Sequence, residues 1–165
     1  MTVNKYFKLG KNVLFPINRS LTGAGTKKTL NIIKKEFNEL KIKSIKSGSK
    51  VFDWRVPSEW NISEAYVIDK HGKKIIDFKK NNLHVVSYSS PISKNLTKGE
   101  LFKHIYFLKK QPTAIPYITS FYEKRWGFCI SYNQKKQFDK FYKKNDKFKV
   151  IIKSNLNPYG NLNYG

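Results

Sequence analysis

KVFDWRVPSEWNISEAYVIDKHGKKIIDF, residues 50–78, carries the chain from one kind of structure into another. Residues 50–54 make a short strand candidate, parted from another at 41–45 by the turn residues Ser47, Gly48 and Ser49. Further on, the apolar runs 65–68 and 74–78 flank Asp69-Lys70-His71-Gly72, which predicts a β-hairpin. Upstream, Leu30, Ile33, Phe37 and Leu40 recur at three- and four-residue steps, so 26–40 is expected to form a helix with one apolar stripe. Gly23 and Gly25 end the preceding loop, and Thr22 or Thr26 is available as its cap.

Downstream, 83–88 reads as a strand stopped by Pro91. Thr97-Lys98-Gly99-Glu100 is a capping box, and Leu101, Ile105 and Leu108 mark the buried face of the helix expected after it. Pro112 and Pro116 bound a stiff linker. A strand is expected at 127–132, a third helix at 133–142 burying Phe138 and Phe141, and a last strand at 148–152. Residues 153–165, with Pro158, Gly160 and Gly165, read as adding no further core element. No internal repeat or low-complexity segment is visible.

At 165 residues, 39% hydrophobic and 15% aromatic, the chain has the composition of a globular protein. No apolar run approaches the roughly 18 residues of a membrane span, and no signal-peptide pattern opens the sequence, so the expected location is the cytoplasm with no membrane partner. The net charge of +22 invites a nucleic-acid or polyanion reading. Against it, only Arg19, Arg55 and Arg125 carry the guanidinium fork, and lysine supplies the rest in short, dispersed runs. A solvated lysine-rich face accounts for that pattern better.

The single Cys129 lies in an apolar stretch and reads as core. The glycines at 23 and 25 fit neither the dinucleotide nor the Walker spacing, which leaves a loop feeding a helix. His71, His84 and His104 lack the short spacing of a helical zinc pair, so no metal ligands are expected within the chain. Among them His84 stands out at a strand end beside Asn81 and Asn82, with structural hydrogen bonding weighed against a substrate-facing role. Arg19, Asp53 and Trp54 stand where apolar elements give way to loops. They either form a packing contact with an Arg19–Asp53 ion pair or line a cleft. For Tyr122, Glu123, Arg125 and Trp126 the same choice arises, between an aromatic and basic substrate wall and a packing surface. No serine-hydrolase elbow or paired-carboxylate signature is present.

Four blocks are too long to be accidents of composition: FPINRSLTGAGTKKTL at 15–30, KVFDWRVPSEWNI at 50–62, NNLHVVSYSSP at 81–91 and QPTAIPYITSFYEKRWGFCIS at 111–131. Together they resemble the bacterial aminopeptidase-like family, whose zinc-hydrolase domain is interrupted by a small inserted domain. The resemblance implies an α/β fold with an α+β insertion, as a partial phosphorylase/hydrolase-like core. Residues 1–55 would supply its first helix and strand, 56–146 the inserted domain and 147–165 a return strand. It also implies that zinc belongs to full-length members and is not bound by this chain alone, its ligands lying beyond residue 165. Arg19, Asp53, Trp54, His84, Tyr122, Arg125 and Trp126 become candidates for substrate or supporting contacts, with no catalytic residue in the chain. Ser90 and Thr113 stand where the family commonly has acidic residues, and Tyr132 where it commonly has histidine.

The function expected is therefore the N-terminal part of a zinc-dependent hydrolase of peptide or amide bonds, in a family linked to polysaccharide biosynthesis. Its expected partners are the remainder of its own catalytic domain, an amide-containing substrate and a further copy of itself. A basic polyanion-binding module and a non-catalytic interaction remnant are the alternatives.

Overall fold

The computed structural model describes residues 3–165 as a mixed α/β chain divided into two compact units. Of the described residues, unit 1 comprises 3–61 and 155–165, and unit 2 comprises 62–154. No helix among the described residues is long and apolar enough to cross a membrane.

In unit 1, α1 (Val3–Leu9) runs into a π-helical turn at Gly10–Leu14 and is followed by α2 (Ala24–Glu36). α1 is tied down where Tyr6 stacks on Phe37, ring centroids 5.8 Å apart, and where Lys5 pairs with Glu36. α2 starts two residues earlier than its apolar stripe predicts and stops at Phe37, which leaves the helical region at φ −131. Neither Thr22 nor Thr26 caps it. The amide of Ala24 instead donates to Asn61 Oδ1 at 2.8 Å, a partner far off in sequence. Thr22 is buried and its hydroxyl accepts from the amide of Trp60 at 2.9 Å.

Both glycines of the preceding loop are required by close packing. A Cβ on Gly25 would stand 1.8 Å from the carbonyl oxygen of Asn18, and one on Gly23, at φ +98, would stand 2.1 Å from that of Trp60. The strand expected at 50–54 is a tight hairpin, β2 (Lys50–Val51) and β3 (Trp54–Arg55), with Phe52 and Asp53 at its tip. The end of the chain, read as adding nothing, supplies β10 (Asn161–Tyr164). That strand pairs antiparallel with β1 (Lys43–Lys46), in register from Lys43↔Tyr164 to Lys46↔Asn161.

Unit 2 is built on a four-stranded sheet, ordered β5-β4-β9-β6. β4 (Glu59–Ile68) and β5 (Lys74–Asp77) form the expected hairpin. The Asp69 carboxylate closes its turn by accepting from the amides of His71 and Lys73, both at 2.9 Å, and from the Tyr142 hydroxyl at 2.8 Å. β9 (Lys147–Asn157) places Phe148, Val150 and Ile152 on one face as alternation requires, and pairs antiparallel with β6 (Ile92–Thr97). α4 (Tyr132–Phe141) opens with a Ser131/Gln134 capping box and buries Phe138 against Phe148 and Phe102.

Three expectations fail here. The capping box at Thr97 and Glu100 forms, but α3 (Lys98–Leu101) lasts one turn before a 3-10 turn and β7 (Ile105–Tyr106). Ile105 is thus buried from a strand, and Leu108, beyond it, is exposed. Residues 83–88 do not form a strand: a 3-10 turn at Asn82–His84 leads into isolated bridges, and Tyr88 at φ 65 breaks extension. Phe141, expected to be buried, is exposed.

Candidate functional site

Unit 2 gathers its aromatic and basic candidates around a short parallel ribbon, β7 with β8 (Phe128–Cys129), where Ile105 meets Phe128 and Tyr106 meets Cys129. Residues 84–90 run beside 125–129. His84 Nδ1 lies 2.8 Å from the carbonyl oxygen of Cys129, Val86 N donates to Gly127 O at 3.0 Å, and Ser90 N donates to Arg125 O at 2.9 Å. Gly127 permits this approach, since a Cβ there would fall 2.8 Å from the carbonyl oxygen of His104. Hydroxyls complete the network. Ser89 accepts from Gly127 N at 3.2 Å and donates to Val86 O at 2.6 Å, and Ser154 donates to Ser89 O at 2.7 Å. The small polar run VSYSS was the sequence signal for these serines, which sequence reasoning passed over.

His84 and Arg125 therefore stand at opposite ends of one paired segment. A carbonyl can only accept, so Nδ1 of His84 carries the proton, and burial lowers the pKa of the ring against the opposing pull of that bond. Because the folded pKa is depressed, the unfolded chain takes up the proton first, and stability drains away as pH falls below the ordinary value of 6.5. In an NMR titration, the ring of His84 should titrate below free histidine. A midpoint at or above the free value would contradict this geometry.

Arg125 donates from Nη2 to Thr119 O at 2.8 Å, pairs through Nη1 with Glu123 at 3.3 Å, and lies 6.0 Å from the centre of the Tyr106 ring. Its Nε, Ser90 Oγ and Thr119 Oγ1 are buried without a hydrogen-bond partner among the described residues. Trp126 stacks on His104, with centroids 3.8 Å apart and planes 18° from parallel. Tyr122 is exposed and meets Phe121 edge-on, and Phe121 meets Tyr88 in the same way. The wall expected at 122–126 is thus a fixed loop with an aromatic tip and a braced guanidinium.

The other candidates belong to unit 1. Arg19 lies exposed in the loop before α2, Asp53 is exposed at the β2·β3 tip, and Trp54 is half-buried in β3. The Arg19–Asp53 ion pair offered by the packing account is not formed among the described residues, and both side chains face solvent.

Chemically, the unit 2 loop can bind, but it carries no activated nucleophile. Burial pushes the Cys129 thiol up to about 12, so it stays protonated at neutral pH. Among the described residues no three His, Cys, Asp or Glu side chains stand together as metal ligands.

A family model described as "Domain of unknown function (DUF2172)" matches residues 59–155. A protein of Clostridium acetobutylicum described as a "Putative polysaccharide biosynthesis protein with aminopeptidase-like domain" is 48% identical over 152 residues, covering 92% of this chain and 33% of that protein. A crystal structure of a "putative peptidase" from Clostridium acetobutylicum superposes with a TM-score of 0.83 at 44% identity, over 99% of this chain and 39% of that one. The chain thus spans about a third of the length of the curated relative it matches.

Proposed function

We propose, on the premise that this chain belongs to the DUF2172 family of domains of unknown function, that it forms the front part of a larger aminopeptidase-like hydrolase of peptide or amide bonds. Unit 2 is its inserted α+β domain, and unit 1 is a portion of the catalytic α/β domain. The observation that carries this reading is coverage: nearly the whole chain aligns with a third of a relative named for its aminopeptidase-like domain.

The distribution of apolar side chains supports it. Among the buried hydrophobic residues only Val56, Trp60 and Leu162 belong to unit 1. That unit nevertheless exposes Val3, Phe7, Val13, Phe15, Phe37, Phe52, Tyr159 and Tyr164. A two-stranded ribbon such as β1·β10 is marginal in water without further packing, and three buried hydrophobic residues are few for a core. Unit 2 holds the other buried hydrophobics and closes a core of its own.

In this proposal the zinc ligands come from outside the chain, and Tyr122, Arg125, Trp126 and His84 form or brace a substrate-facing wall. Arg19, Asp53 and Trp54 supply supporting contacts. A link to polysaccharide biosynthesis is carried over from the relative's name. Arg125→Ala and Tyr122→Ala, made in a protein of the relatives' length, should lower kcat/KM for an amide substrate about tenfold, chiefly through KM, because a wall residue contributes binding rather than chemistry. Unchanged KM and kcat in both variants would remove the loop from the site.

A further inference from the structure

The two-residue loop of the β2·β3 hairpin carries an unusual residue. Val51 pairs with Trp54, so Phe52 and Asp53 alone make the turn. Phe52 occupies the left-handed region at φ 54, a slot that glycine or asparagine fills in such loops, and one from which a bulky side chain is normally excluded. The residue is 92% exposed, so burial does not repay the strain within this chain. Strain combined with exposure points to a role outside the chain's own packing.

A second ring stands on the adjoining turn. Tyr159 is 91% exposed just ahead of β10, and the register Lys46↔Asn161 sets that end of β10 beside the end of β1 that leads into the hairpin. The amide of Ser47 donates to Gly160 O at 2.9 Å, joining the Tyr159 turn to the base of the hairpin whose tip bears Phe52. The turn bearing Tyr159 is held firmly. Asn157 Oδ1 accepts from Tyr159 N at 3.0 Å, and Glu59 accepts from Asn161 N at 2.8 Å. A Cβ on Gly160 would fall 2.2 Å from Cβ of Glu59. Tyr159 is therefore presented from a firmly held turn at the end of the β1·β10 ribbon from which the hairpin bearing Phe52 leaves.

We infer that Phe52, with Tyr159 on the adjoining turn, is the anchor by which unit 1 docks on an apolar pocket in the portion of an aminopeptidase-like protein that lies outside this chain. The inference rests on the front-part reading above. Three observations favour this occupant. The matched relatives extend well beyond the aligned region. The exposed Lys46, Lys50 and Arg55, on the hairpin and the strand before it, outnumber Asp53 at the tip, and in a chain of net charge +22 would set a second copy against like charge. A segment of the same polypeptide meets the anchor at high effective concentration, so two rings suffice.

Phe52→Gly, made both in this chain and in a protein of the relatives' length, separates the possibilities by sign. In the chain, relief of left-handed strain should raise the melting temperature by about 2–4 °C. In the longer protein, loss of the anchor should outweigh that relief and lower it, while Phe52→Leu, which keeps an apolar side chain, should hold it near wild type. Chymotrypsin should cleave after Phe52 in the chain and spare it in the longer protein. A rise in melting temperature in both contexts, with cleavage unchanged, would overturn the anchor and leave the front-part reading standing. A reading frame that does not extend to the relatives' length would overturn both.

Discussion

Gly23→Ala should destabilise unit 1 by more than about 3 kcal/mol, the range reserved for substitutions that the backbone cannot absorb. Two costs combine at this position. Gly23 holds φ +98 and ψ 175, a region essentially confined to glycine. An added Cβ would also lie 2.1 Å from the carbonyl oxygen of Trp60, and that carbonyl belongs to β4, whose neighbouring amide donates to Thr22 Oγ1. Yielding there would break the hydrogen bond as well as relieve the clash. Gly48→Ala provides the control. It also has positive φ, +83, but nothing lies within 4 Å of its Cβ position, so only the conformational cost of about 1–2 kcal/mol remains. Urea unfolding of the two variants measures the difference. Equal, small losses would mean that the approach of Gly23 to Trp60 does not lock the loop.

That lock illustrates where sequence reading stops. The LTGAG loop announced itself as a loop feeding a helix, because glycines before an apolar stripe are a local pattern. The reason for Gly23 was not local: it lies in Trp60 and Asn61, distant in sequence, whereas Gly25 answers to the nearby carbonyl of Asn18. The 65–78 hairpin and the Thr97 capping box were legible for the converse reason, since alternation, turn residues and cap spacing are all fixed within a few positions. The β1·β10 ribbon joins residues as far apart as Ser44 and Asn163, bonded side chain to side chain at 2.8 Å, and only the tertiary fold reveals that pairing. Leu108 and Phe141 fell on apolar stripes yet are exposed, because the first helix turned into a strand and the second ended at Phe141.

The candidate residues divide in the same way. Arg125 and Trp126 were recognisable as an unusual basic and aromatic pair, but their partners Thr119, Glu123 and His104 were not. His84 was singled out as a residue at the end of a strand. The structure seats it in a 3-10 turn facing the carbonyl of Cys129, 45 positions on, which accounts for its burial in terms of the fold. The positive charge, the loudest signal in the composition, is carried by exposed lysines on α1, α2, β1, β2, β5, β6, α4 and β9, whereas β4, β7, β8 and β10 carry none.

The central claim is that this chain is the front of a larger hydrolase whose chemistry lies in the remainder. Metal content and amide hydrolysis, measured side by side on the 165-residue chain and on a protein of the relatives' length, test it most directly. The account predicts bound zinc and turnover of aminoacyl anilides in the longer protein, with rates in the chain lower by at least about a thousandfold, the scale of loss when an electrostatic catalytic group is removed. Stoichiometric zinc and comparable turnover in the chain alone, or neither metal nor hydrolysis in the longer protein, would contradict it.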